Sequence, residues 1–137
     1  LAAAGRTRAD VAVIWVINVV TWSDDAERDE ALGFAKAQMG FYGSTPAYRP
    51  TLDLHGYGDL QPELNRLSKA GAWDTMIDLV PDELVELLCV VGPRDELAGQ
   101  LAQRAAGLEV DLGLVNNRNP DGRHFADVVS ELRSLVG

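Results

Sequence analysis

One run of apolar residues dominates the front of the chain. Val11-Ala-Val-Ile-Trp-Val-Ile-Asn-Val-Val-Thr-Trp22 carries no charge and is β-branched or aromatic at every position but Ala12 and Asn18. It does not alternate between apolar and polar positions. Continuous apolarity of this kind predicts a strand covered on both faces, the habit of a parallel sheet. The run is longer than the usual strand of about five or six residues, so part of it is expected outside the ladder. A second strand is expected over 110–115, and a weaker third over 88–91.

Between the strands the pattern changes to helical spacing. Asp24 is placed to cap a helix, with Glu27 three positions on. Leu32, Phe34, Ala35 and Met39 form its expected apolar face, and Gly40 its expected end. Further helices are expected over 62–69, 72–79 and from Pro81 to Leu88, with Leu60, Leu64 and Leu67 on one side of the first. Pro93-Arg-Asp-Glu96 reads as another helix start, with Asp95 and Glu96 complementing the helix dipole. Leu97, Leu101 and Ala105 make its buried stripe, and Gly107 stops it. Asn119 and Pro120 are expected to open a last helix over 120–136, with Phe125, Val128, Val129, Leu132 and Leu135 inward. Strands alternating with helices predict an α/β fold with parallel strands. Two or three such strands are too few to close a barrel, which leaves sheet edges for a partner.

The chain has 137 residues, enough for one domain with a real core, and 47% of them are apolar. Its formal net charge is −9. Acidity of that size argues against a nucleic-acid or anionic-membrane partner, because both need clustered Lys and Arg. The longest apolar run is too short for a bilayer-spanning helix and contains Asn18. Residues 1–8 lack the order of a signal peptide. A lone cysteine, Cys89, flanked by Leu88 and Val90, reads as a buried thiol and fits a reducing cytoplasm. The absence of an initiator Met suggests a start inside a longer product.

Candidate chemistry is sparse. His55 and His124 lack metal-ligand spacing, and His124 is expected on the surface at the start of the last helix. No phosphate-binding loop occurs. The segment Gly40 to Gly58 is expected to be a long loop with short helical turns, and it gathers Phe41, Tyr42, Tyr48 and Tyr57 with Arg49 and His55. Aromatic planes beside a cation suit a conjugated ring with an anionic group. The same residues also suit plain packing of an irregular excursion onto the core.

Several blocks together carry a resemblance. Phe41-Tyr-Gly-Ser-Thr-Pro-Ala-Tyr-Arg-Pro50, Leu54-His-Gly-Tyr-Gly58, Val91-Gly-Pro-Arg-Asp-Glu96 and Ala106-Gly-Leu-Glu-Val-Asp111 resemble the C-terminal part of the luciferase-like monooxygenase superfamily, coenzyme F420-dependent oxidoreductase type. The resemblance runs from about Val11 to Asn116. It implies the C-terminal portion of a (β/α)8 TIM-type barrel, incomplete as an isolated chain. Residues 11–22 would be a late strand, 40–80 an insertion, and 110–115 the last strand. The implied cofactor is F420, with FMN the alternative, and the implied chemistry is hydride transfer to or from a small organic substrate. Trp22, Ser23, Asn116 and Asn117 would lie at the strand C-termini, where such barrels react. Tyr42, Tyr48, Arg49 and His55 would lean over that face. Tyr42, Tyr48, Arg49, His55 and Asn116 are thus the candidate cofactor- or substrate-binding residues. The family's usual Ser/Thr before Pro is missing here, since Gly92 runs directly into Pro93. The other reading is a non-catalytic α/β module that pairs with a copy of itself or another chain, or binds a small ligand under an aromatic lid. The expected partners are therefore a substrate, a second copy or the remainder of the barrel.

Overall fold

The structure is a computed structural model that describes residues 1–117, 119, 122 and 124–136. Two short 3-10 turns, Ala2–Ala4 and Arg8–Asp10, precede β1 (Ile14–Trp22). Five helices follow: α1 (Asp25–Gly43), α2 (Arg49–Leu54), α3 (Leu60–Ala70), α4 (Trp73–Leu79) and α5 (Asp82–Leu88). The chain continues through β2 (Cys89–Pro93), α6 (Arg94–Ala105), β3 (Leu112–Asn117) and α7 (Phe125–Val136).

All strand pairing is parallel, as the uncharged runs predict, and the order is β2-β1-β3. Val19 faces Val90 across one ladder, and Ile17 faces Val115 across the other. The first strand in sequence is therefore the middle strand in space. Its neighbours lie on both sides, so the chain leaves β1 in one direction to make β2 and crosses back to make β3. Right-handed crossovers that travel in opposite directions lie on opposite faces of a sheet.

The packing follows that rule. Val20 and Cys89 point into a cluster with Ala31, Leu32, Ala35 and Met39 of α1, Leu64 of α3, Met76 of α4 and Val85 of α5. Ile17, Val19 and Val90 point the other way, onto Leu97 and Leu101 of α6 and Val128 of α7. Successive strand residues thus enter different cores, which is why β1 shows no polar alternation. A three-layer, doubly wound unit results. Three successive strands of a barrel would instead be ordered β1-β2-β3, with helices on the outer face only.

Several local expectations shift. Helix α1 does not stop at Gly40, which is buried beside α4; a Cβ there would sit 3.6 Å from Met76 and Val80. Gly40 serves close helix packing, and the helix runs on to Gly43. Phe34 is exposed, because Ala31, Leu32, Ala35 and Met39 define the buried face and residue 34 falls off it. The short helical turns expected between Gly40 and Gly58 are present, as a 3-10 turn at Pro46–Tyr48 and the six-residue α2. The doubtful third strand is real. Asn119 does not cap the last helix: its side-chain amide bonds both the N–H and the C=O of Thr21, and α7 begins at Phe125. In α7, Val128 is buried and Leu132 partly so, while Phe125 is exposed. Pro120 and the side chains of Asn117 and Leu135 lie outside the described residues.

The free edge of β2 is guarded. Arg104 of α6 donates to the carbonyls of Leu87 and Cys89, at 3.1 and 3.0 Å, and Pro93 removes one N–H. Both devices discourage strand addition.

Candidate functional site

Three groups of side chains carry the chemistry, and they lie at different heights on the sheet. The first is at the C-terminal end of β1. Asp24 accepts from the Glu27 N–H at 2.9 Å, so the expected cap is present. The Glu27 carboxylate turns back and accepts from the Ser23 N–H at 2.8 Å. The same Oε2 atom lies 2.9 Å from Nε2 of His124, and the Ser23 hydroxyl lies 3.4 Å from that nitrogen. Arg28 stands 5.7 Å over the Trp22 ring. His124 is not a simple surface residue, because its side chain is only 16% exposed. It also holds a left-handed backbone, φ 64°. Both contacts use one ring nitrogen, so the trio is not a proton relay, which needs the base to be oriented through its second nitrogen. Sequence reading found Ser23 and Glu27 as a helix entry and missed His124. Its partners are 97 and 101 residues away, and no spacing announces them.

The second group lies halfway along the ladder. Asn116 of β3 sits opposite Asn18 of β1, and its amide donates to the Asn18 side chain at 3.1 Å. Ile14 and Val16 share that face of β1 and are 52% and 61% exposed. Neither core cluster covers them. The result is an open apolar strip ending in an amide pair.

The third group is the aromatic segment. Tyr42 and Tyr48 meet edge to face at 5.9 Å. Tyr42 also touches Phe41 at 5.7 Å, and Phe41 meets Trp73 at 6.4 Å. Arg49 pairs with Asp53 at 3.6 Å, one helical turn on, and both are well exposed. His55 is exposed on the turn that ends α2. Tyr42 and Tyr48 line a cleft with Leu84 and Leu88, and Leu88 immediately precedes β2. The group therefore lies toward the N-terminal ends of the strands. Helix α1 explains this: its 19 residues carry the chain back along the sheet by ~28 Å. Tyr42 and Tyr48 come together, while Arg49 turns to Asp53; the group stands apart from Ser23, Trp22 and Asn116 and does not lean over the strand C-termini.

Two further charged contacts tie elements together. Asp111 accepts from the Val13 N–H at 2.7 Å and from Arg8 at 2.9 Å, and these bonds hold its carboxyl below the ordinary value. Arg94 bonds Glu131 at 2.7 Å and joins α6 to α7. Among the described residues no three His, Cys, Asp or Glu are placed to hold a metal ion, and no helix is long and apolar enough to cross a membrane.

The model of the luciferase-like monooxygenase family matches residues 1–111. An uncharacterized protein of Mycobacterium bovis and two of Mycobacterium tuberculosis strains are each 48% identical over 108 residues. That alignment covers 79% of this chain and 32% of each relative. The chain belongs to the luciferase-like monooxygenase family. It spans about a third of the length of the curated relatives it matches.

A flavin or deazaflavin needs an apolar slot for its ring and a cradle for its anionic tail. The strip of Ile14, Val16, Asn18 and Asn116 suits one flank of a ring. The N-terminus of α1, an otherwise natural phosphate site, already holds Asp24 and Glu27. The described residues therefore do not fit the whole group on their own.

Proposed function

We propose that the complete protein is a flavin- or deazaflavin-dependent oxidoreductase that transfers hydride between F420, or alternatively FMN, and a small organic substrate. This chain would supply the C-terminal portion of its (β/α)8 barrel. The observation that carries the reading is the family match over residues 1–111. Parallel strands joined by helices support it. The cofactor would supply the redox chemistry; the protein's part is binding, orientation and exclusion of water.

In this reading Asn116, beside Asn18, is the candidate contact to cofactor or substrate from the sheet. Tyr42, Tyr48, Arg49 and His55 stand apart from that face, and would contribute to it only if the insertion is repositioned in the complete barrel. Among the described residues there is no cradle for the cofactor's charged end, so the isolated chain would be inactive. The reading also entails a change of neighbours. In a barrel β2 lies between β1 and β3, so β3 would leave β1 once further strands are present.

A second reading has its own support. Ile14 and Val16 stand uncovered on one face of the sheet, which suits a non-catalytic module that pairs with a copy of itself or another chain. Titration separates the two. Reduced and oxidised F420 and FMN are added to this chain and to a protein extended to the length of the mycobacterial relatives, with Trp fluorescence followed. The oxidoreductase reading predicts saturable binding and cofactor oxidation by the longer protein alone. Absence of binding by the longer protein leaves the module.

A further inference from the structure

Beyond that reading, the aromatic segment encloses a space of its own. A cleft of about 100 Å³ lies between the end of α1, the 46–54 segment and α5. Met39, Leu52, Leu84 and Leu88 supply most of its wall, and Tyr42 and Tyr48 stand at its side with their rings in contact. Its floor is tight. Gly43 lies on it, and a Cβ there would come 3.0 Å from Leu64 and 3.6 Å from Leu52. No charged residue lines it. The nearest charges in sequence, Arg49 and Asp53, pair with each other.

We propose that this cleft binds the alkyl end of a small neutral molecule. Size sets the class of the buried end: a closed apolar cavity of ~150 Å³ accepts benzene, and the smaller space here, open on one side, takes a straight chain of ~3–4 carbons with the rest of the molecule outside. Chemistry sets the sign. An ion entering an uncharged apolar cleft loses its hydration without a partner. Water gains little there, since the wall offers few hydrogen-bonding groups. The polar end of the ligand lies outward along Tyr48, Tyr42 and Phe41, a continuous run of rings that favours amphipathic molecules.

The test uses 1-butanol as the probe, with butyrate and butylammonium as charged counterparts. Amide NMR shifts of Gly43, Thr51, Leu52 and Leu84 are followed in the intact chain. The ceiling for a ligand of ~5 non-hydrogen atoms is a Kd of order micromolar, so the titration runs from micromolar to millimolar concentrations. The expected result is saturable shifts at those four residues with butanol, and weaker ones with both ions. Thr51→Leu, on an exposed helix position, adds carbon to the cleft and should raise the midpoint at least ~10-fold. Leu88→Ala enlarges it and should favour cyclohexanol over butanol, which keeps the test available if Thr51→Leu does not fold. Linear shifts spread over the whole chain, or a midpoint unmoved by Thr51→Leu with no change of preference in Leu88→Ala, would overturn the assignment.

Discussion

Nε2 of His124 lies 2.9 Å from Oε2 of Glu27, and this contact ties the entry of α7 to the first turn of α1. Glu27 also accepts from the Ser23 N–H. One carboxylate thus satisfies a free backbone donor at a helix start and fixes a residue from the far end of the chain. Glu27→Ala should cost roughly 1–2 kcal/mol, since it removes the acceptor of the Ser23 N–H and the contact to His124. Urea unfolding measures it. Glu27→Gln keeps the acceptor and should recover about half.

Asn119 makes the complementary tie beneath it. Its buried amide satisfies both backbone groups of Thr21. Asn119→Ala leaves both unpaired in a buried place, and ~2 kcal/mol of destabilisation is expected. Hydrogen exchange at Thr21 should accelerate in the variant. Unchanged protection would mean that another group takes over the pairing.

Core depth differs between the two helices on the second face. Leu101 is fully buried, so Leu101→Ala should cost about 2–5 kcal/mol. Leu132 is only partly buried, and its truncation should cost about 1 kcal/mol. Equal costs in denaturant unfolding would contradict the observed packing of α7.

Acid should loosen the join between the N-terminal segment and β3. Bonds from Val13 and Arg8 lower the Asp111 pKa below its ordinary value of 3.8. A lowered folded-state value contributes stability above the unfolded pKa, lost as pH falls through the folded one. Asp111→Asn should therefore flatten stability against pH in the acid range below pH 3.8 and leave its neutral-pH slope unchanged. Asp111 is exposed, so the effect is small. An unaltered acid profile would place the linkage elsewhere.

Much of this architecture was legible in the residues. An uncharged β-branched run announced a two-sided strand, and Asp24 and Pro81 announced helix starts. What escaped was long-range. Neither the order β2-β1-β3 nor the Glu27–His124 contact leaves a local trace, because both depend on which strand receives the return crossover. Gly40 misled for a similar reason. A glycine that admits a neighbouring helix looks, in sequence, like one that ends its own. The aromatic segment was found as a group, but the length of α1 decided where it stands. The helix runs three residues past Gly40, to Gly43, and this extra turn carries the aromatic group with it.

Position of the open strip gives a prediction at the surface. Val16→Lys should change stability by less than about 0.5 kcal/mol, as the side chain meets no core. If copies associate through that face, the same substitution should shift light scattering toward monomer. A destabilised monomer would show instead that the strip is covered within the chain.

Strand order is the most exposed claim of all. Backbone NOEs in the isolated chain read it directly. The account predicts parallel cross-strand contacts from β1 to both neighbours, Ile17 with Val115 and Val19 with Val90. Contacts between β2 and β3, with none between β1 and β3, would contradict it.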